Sequence, residues 1–170
     1  MIRFPFFQQP DAMDCGPTCL RMVAKHYRKN VSLQEIRMLS ETTREGSSLL
    51  GLSAAAEKVG FRSLGVKVSF NKLIKEAPLP CIAHWKSSHF VIVYKIKKTS
   101  PFSFRRGDGG EVVFVADPGH GLLTYTKEEF INCWIGANAN ENTEEGILLL
   151  LEPTAQFYAD RDDSFGDEKQ

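Results

Sequence analysis

Residues 14–27 read DCGPTCLRMVAKHY, and the rest of the chain is read outward from this stretch. Leu20, Val23, Ala24 and Tyr27 recur at helical spacing, so the segment predicts an amphipathic helix with one face in a core. Pro17 suits the first turn of that helix, where its missing N–H costs nothing. Cys15 stands at the start. A thiol there meets the positive end of the helix dipole, which favours the thiolate, the form that attacks carbonyls. Gly16, beside it, leaves space for a substrate backbone to approach. An isolated cysteine is more often a small buried hydrophobe. Its place at a helix start, ahead of a glycine, points toward a nucleophile without settling the matter.

Further along, the first half reads as helices. Ser32 and Glu35 form a capping box with Val31 stapled onto Ile36, predicting a short helix to about Leu39. Ser47 or Ser48 caps a third helix through Leu49, Leu52, Ala56 and Val59, and Gly60 suits its C-terminal cap. The second half reads as strands: 61–68, 79–85, 89–96, 111–117 and 146–152. Two helical interruptions are expected, one capped by Ser69 and one opened by the Thr126/Glu129 capping box. Residues 97–110 read as a long loop between paired strands, and the RGD triplet inside it reads as a turn. Helices first and a mostly antiparallel sheet second make an α+β fold. One domain over residues 1–155 is expected, with residues 156–170 as a polar, acidic tail or linker.

A thiolate nucleophile needs a proton-transfer partner, and histidine is the usual one near neutral pH. Of the four, His26 lies on the first helix, far from its start. His120 sits in the turn Pro118-Gly119-His120-Gly121. His84 and His89 bracket the gap between two strands. His89 opens the strand HFVIVYKI, an edge position able to face a cleft. The imidazole in turn needs a carboxylate or amide to fix its tautomer. Asp117, at the end of EVVFVAD, suits that role if its strand pairs with the one starting at His89. Asp-Pro also commonly opens turns, and both readings hold together. Gln9 lies six residues before Cys15, in a segment that must pass the helix start. Its amide and the Cys15 N–H together would stabilise an oxyanion, although a glutamine taken without context is more often an ordinary polar residue.

Composition excludes several other classes. Lysine and arginine number 21, as do aspartate and glutamate, so no global field favours nucleic acid. No apolar run approaches the ~20 residues of a membrane-spanning helix, and MIRFPFFQQP does not read as a signal peptide. Cysteines 15, 19, 81 and 133 are few for 170 residues and contain no CxxC pair. Reduced thiols, a cytosolic setting and no structural zinc are therefore expected. His84 and His89 lack a nearby acidic or thiol ligand that would complete a metal set.

Three blocks carry a resemblance: QPDAMDCGPTCLRMVAKHY, LPCIAHWKSSHFVIVYKI and VFVADPGHGLLTYTKEEFINCWIG. In that order and separation they resemble the peptidase C39 family, the papain-like module at the N-terminus of peptidase-containing ABC transporters that process double-glycine leader peptides. The likeness spans roughly residues 5–153. It implies a papain-like fold with Cys15 as nucleophile, His89 as base and then acid, Asp117 as orienting residue, and Gln9 in the oxyanion hole. It implies cleavage after Gly-Gly or Gly-Ala without a cofactor, in a narrow cleft shaped by Gly16, Trp85 and Ser88. The partners implied are a leader peptide and the transmembrane and ATP-binding domains of an ABC transporter, on the cytoplasmic side of a bacterial membrane. The alternative is a C39-like module that docks a leader without cutting it. A papain-like transferase or cell-wall amidase is a more distant rival.

Overall fold

The helix expected after Asp14 forms as α1 (Cys15–His26), with Cys15 as its first residue. The computed structural model describes residues 3–85, 88–99, 110–136 and 144–164. Next come α2 (Leu33–Leu39) and α3 (Leu49–Val59). Each starts where a serine hydroxyl replaces a missing helix partner. Ser32 accepts from the Glu35 N–H at 3.2 Å, and Ser48, not Ser47, accepts from the Gly51 N–H at 2.9 Å. Gly60 ends α3 at φ 115°, a left-handed conformation that glycine adopts without cost. A side chain is excluded there for a second reason, because a Cβ on Gly60 would lie 2.6 Å from the Phe157 Cα.

The second half supplies β1 (Phe61–Ser69), α4 (Phe70–Glu76), β2 (Cys81–Trp85), β3 (His89–Lys98) and β4 (Glu111–Asp117). These are followed by β5 (Gly121–Thr126), α5 (Lys127–Trp134), β6 (Glu145–Pro153) and α6 (Ala155–Ser164). All strand pairs are antiparallel, in the order β1-β6-β2-β3-β4-β5. The fold is α+β, as expected.

Strand alternation divides the core into two. Ile82, Phe90, Ile92 and Leu149 point toward α1, α3 and α6. Ala83, Val91, Val93, Val115 and Leu148 point the other way, onto Phe70 of α4 and Phe130 and Trp134 of α5. Helices therefore cover both faces of the sheet, not only the face taken by the N-terminal helices. Trp134 closes onto Gly146, where a Cβ would fall 2.1 Å from the indole, and its Nε1 donates to the Ile147 carbonyl at 2.9 Å.

Two expectations are revised. Residues 156–164, read as the start of a polar tail, belong to α6, and Phe157 is fully buried against Phe61 with ring centroids 4.7 Å apart. Burying one phenylalanine contributes about 2 kcal/mol, enough to dock a short helix whose other residues are mostly polar or small. Strand β5 was not foreseen, because GLLTYT follows directly on a turn and runs into a helix cap. Of the expected 97–110 loop, Lys97 and Lys98 extend β3, while residues 100–109 lie outside the described residues. So do residues 165–170.

Candidate active site

The β4–β5 hairpin builds one side of the site. The His120 N–H donates to the Asp117 carbonyl at 3.0 Å, Pro118 takes the second turn position, and Gly121 follows at φ 115°. This is the turn chemistry that Asp-Pro-Gly-His-Gly predicts. The Asp117 side chain closes the turn as well, since Oδ1 accepts from the Gly119 N–H at 2.9 Å. Asp117 is thus held in place before it meets any histidine.

His89 opens β3 opposite Trp85. Its Nε2 lies 2.7 Å from Asp117 Oδ1. The other ring nitrogen is left for Cys15, with which His89 shares a side-chain hydrogen bond. Cys15 is 5% exposed and, as the first residue of α1, sits against this edge of the sheet. The three residues expected to work together are brought together from α1, β3 and β4.

Their charges support one another. Burial opposes a Cys15 thiolate, but hydrogen bonds from His89, Phe90 N–H and Gly16 N–H, with the His89 charge, hold the thiol below its ordinary value. Burial likewise opposes a His89 imidazolium, yet its bonds to Asp117 and Cys15 carry it up to about 9. Asp117 is pushed up by burial and brought down further by His89, by the Gly119 N–H and by His120, so it stays a carboxylate. A thiolate–imidazolium pair oriented by a carboxylate is the arrangement a thiol nucleophile requires.

Gln9 is anchored by the same turn. Its N–H donates to the Pro118 carbonyl at 2.8 Å, and its side-chain Oε1 lies 3.4 Å from the point where a Gly119 Cβ would stand. One hydrogen of Gln9 Nε2 goes to the Asp11 carbonyl at 2.9 Å. The amide therefore sits beside Asp117 with its second N–H hydrogen uncommitted to that bond.

The residues expected to shape the cleft have other duties. Gly16 is buried, and a Cβ on it would meet Phe90 at 3.3 Å and Leu52 at 3.5 Å, so its bareness admits neighbouring side chains of the core. Trp85 is 5% exposed and packs on Phe130 and Tyr125, because the strand pleat turns it into the second core. Ser88 is exposed at φ 58°, its N–H on the Trp85 carbonyl at 3.2 Å, and turns the chain into His89. Lys86 and Ser87 lie outside the described residues.

Sequence reasoning missed two contacts. His120 Nδ1 pairs with Asp117 Oδ2 at 3.1 Å, so each carboxylate oxygen faces one histidine. Ligating atoms of His89, Asp117 and His120 all lie within 4.8 Å, a cluster that these hydrogen bonds already account for. The three-residue spacing from Asp117 to His120 within a tight turn was the available signal. The second contact, Asp14 with Arg37, had none, because Asp14 precedes α1 while Arg37 lies on α2, 23 residues further on. Of the other histidines, His26 stacks on Phe4 at 5.4 Å and His84 on Phe90 at 4.6 Å.

Residues 3–140 match the family model described as the peptidase C39 family. The chain belongs to the peptidase C39 family. Over 154 residues it is 33% identical to the lactococcin-G-processing and transport ATP-binding protein LagD of Lactococcus lactis subsp. lactis, covering 88% of this chain and 19% of that protein. It is 27% identical to the colicin V secretion/processing ATP-binding protein CvaB of Escherichia coli, over 93% of this chain and 19% of that one. The chain therefore spans about a fifth of the length of these relatives. Among solved structures, a double glycine motif protease from an AMS/PCAT transporter, in complex with the leader peptide, superposes with a TM-score of 0.72 at 30% identity. That alignment covers 89% of this chain and 93% of the other. The peptidase domain of Streptococcus ComA follows at TM-score 0.70 and 27% identity, over 89% and 100% of the two chains. Among the described residues, no helix is long and apolar enough to cross a membrane.

Proposed function

We propose that this C39 domain is a thiol endopeptidase that removes the leader from a secreted peptide precursor, cutting after a Gly-Gly or Gly-Ala pair. The observation that carries the reading is the array in which Asp117 Oδ1 stands 2.7 Å from His89 Nε2 while His89 also bonds Cys15. The likeness to a double glycine motif protease bound to a leader peptide supports the substrate class. The names of the processing and transport relatives support a partnership with the transmembrane and ATP-binding domains of an ABC transporter, in the same chain or another. The domain then works at the cytoplasmic face of a bacterial membrane.

The chemistry follows from the groups present. The Cys15 thiolate attacks the carbonyl of the second residue of that pair. The resulting oxyanion meets the Cys15 backbone N–H, at the first position of α1, and the second N–H of Gln9 Nε2. His89 gives its Cys15-facing proton to the departing amine as the C–N bond breaks, leaving a thioester on Cys15 and a neutral imidazole. Water then adds to the thioester carbon, His89 takes its proton, and the leader leaves as a carboxylate while the thiolate–imidazolium pair is restored. Asp117 holds His89 in one tautomer throughout and stays ionised.

The test is incubation of a synthetic double-glycine leader peptide with wild type and with Cys15→Ala, read by mass spectrometry. Cleavage after the glycine pair by wild type alone is the expected result. Binding of intact leader by both proteins, with no cleavage by either, would replace the peptidase with a docking module.

A further inference from the structure

Strand β3 reaches past its partner at the site. The β3–β4 ladder begins at the pair Ile92–Ala116, so Phe90 lies two residues beyond the last β4 partner. Phe90 is 2% exposed. A buried backbone group without a partner is costly, and α1 supplies partners for both groups of this residue. The Phe90 N–H bonds the Cys15 sulfur. The Phe90 carbonyl accepts from the Cys19 thiol, with Sγ to O at 3.4 Å. Two cysteines one helical turn apart therefore grip one residue of β3, and that residue directly follows His89.

We propose that Cys19 is a positioning residue for the Cys15–His89 pair, holding Phe90 by its carbonyl so that the preceding imidazole is presented to the Cys15 sulfur. The inference rests on the thiol-peptidase reading of the same site. Cys19 is suited to the task in two ways. It is wholly buried in the helix–sheet interface, where a thiol packs as a small hydrophobe. Burial and the nearby Cys15 and Asp117 charges raise it well above the ordinary thiol range, so it keeps the proton that it donates. A valine or alanine in its place fills space but gives Phe90 no donor. The β3 end is then free to shift against α1, and a small misplacement of reacting groups is costly in rate.

Cys19→Val and Cys19→Ser separate hydrogen bonding from packing, with Cys19→Ala as the donor-free variant should valine overpack the site. Two readouts are taken on each folded protein, with thermal unfolding as a control. The first is the rate at which iodoacetamide alkylates Cys15 at neutral pH, assigned by peptide mapping so that exposed Cys133 does not contribute. The second is kcat and KM on a double-glycine leader peptide. Cys19→Val or Cys19→Ala is expected to slow Cys15 alkylation and kcat by about tenfold with KM unchanged, while Cys19→Ser stays within about threefold of wild type. Equal loss in the serine and donor-free variants, or no loss in the latter, overturns the proposal. The alkylation readout needs no peptide. If wild type leaves the leader uncut while alkylation follows the expected order, the positioning role stands and the substrate reading fails.

Discussion

Arg37 of α2 reaches across to Asp14, the residue before Cys15, and binds both of its carboxylate oxygens. The Nε to Oδ1 distance is 2.7 Å. Asp14 is fully buried while the Arg37 side chain is 30% exposed. The N-terminal end of α1, and with it the thiol, is therefore tied to α2 by an ion pair whose anionic half has no access to water.

Removing the arginine strands that carboxylate. Arg37→Leu is expected to cost about 3 kcal/mol, the lower end for a broken buried pair because the guanidinium keeps some hydration. The double variant Asp14→Asn/Arg37→Leu should recover part of that loss. Urea denaturation of the three proteins checks both statements, and a single variant as stable as wild type contradicts them.

The pH profile has a definite sign. The active pair exists only where Cys15 has lost its proton and His89 has kept one. Activity therefore falls on the acid side as the lowered Cys15 thiol is protonated, and on the alkaline side as His89 deprotonates at about 9. Because the folded-state value of His89 is raised from 6.5 to about 9, its contribution to stability is complete below 6.5 and is lost as pH rises through about 9. The two limbs belong to the coupled pair, and kcat/KM measured across pH reports them.

Asp117→Asn keeps an acceptor for His89 but removes the charge that sustains the imidazolium. The alkaline limb is expected to move down toward the ordinary imidazole range, and kcat/KM to fall by about 100-fold. An unmoved alkaline limb in that variant would show that Asp117 does not set the His89 proton affinity.

Helix α6 tests the reading of the chain's last described segment. Phe157→Ala empties a fully buried ring site between Phe61 and Gly60. A loss of about 3 kcal/mol is expected, measured by chemical denaturation, whereas a detached tail would show no change. Gly146→Ala, which drives a methyl into the Trp134 indole, should cost about 3 kcal/mol by overpacking.

Local chemistry was legible in the sequence wherever neighbours along the chain decide the outcome. Ser32, Ser48, Ser69 and Thr126 start helices by capping their own N–H groups. Asp117-Pro118-Gly119 turns the chain because of its own side-chain and ring geometry. Cys15 meets a helix dipole because the helix begins at that residue. Strand β5 was missed where two local signals, a turn before it and a cap after it, left only six residues between them.

The sequence by itself determined the α+β order, the helix that opens at Cys15 and the turn that holds Asp117. Only the tertiary structure decided which residues of that set touch. The pleat carries Trp85 into a core, and Gly16 makes room for Phe90 within another. Phe157 draws a polar segment back as α6, and Cys19 meets a carbonyl 71 residues away. The physical reason is that sheet register and helix packing are set by burial summed over the whole molecule, which no single stretch of sequence contains.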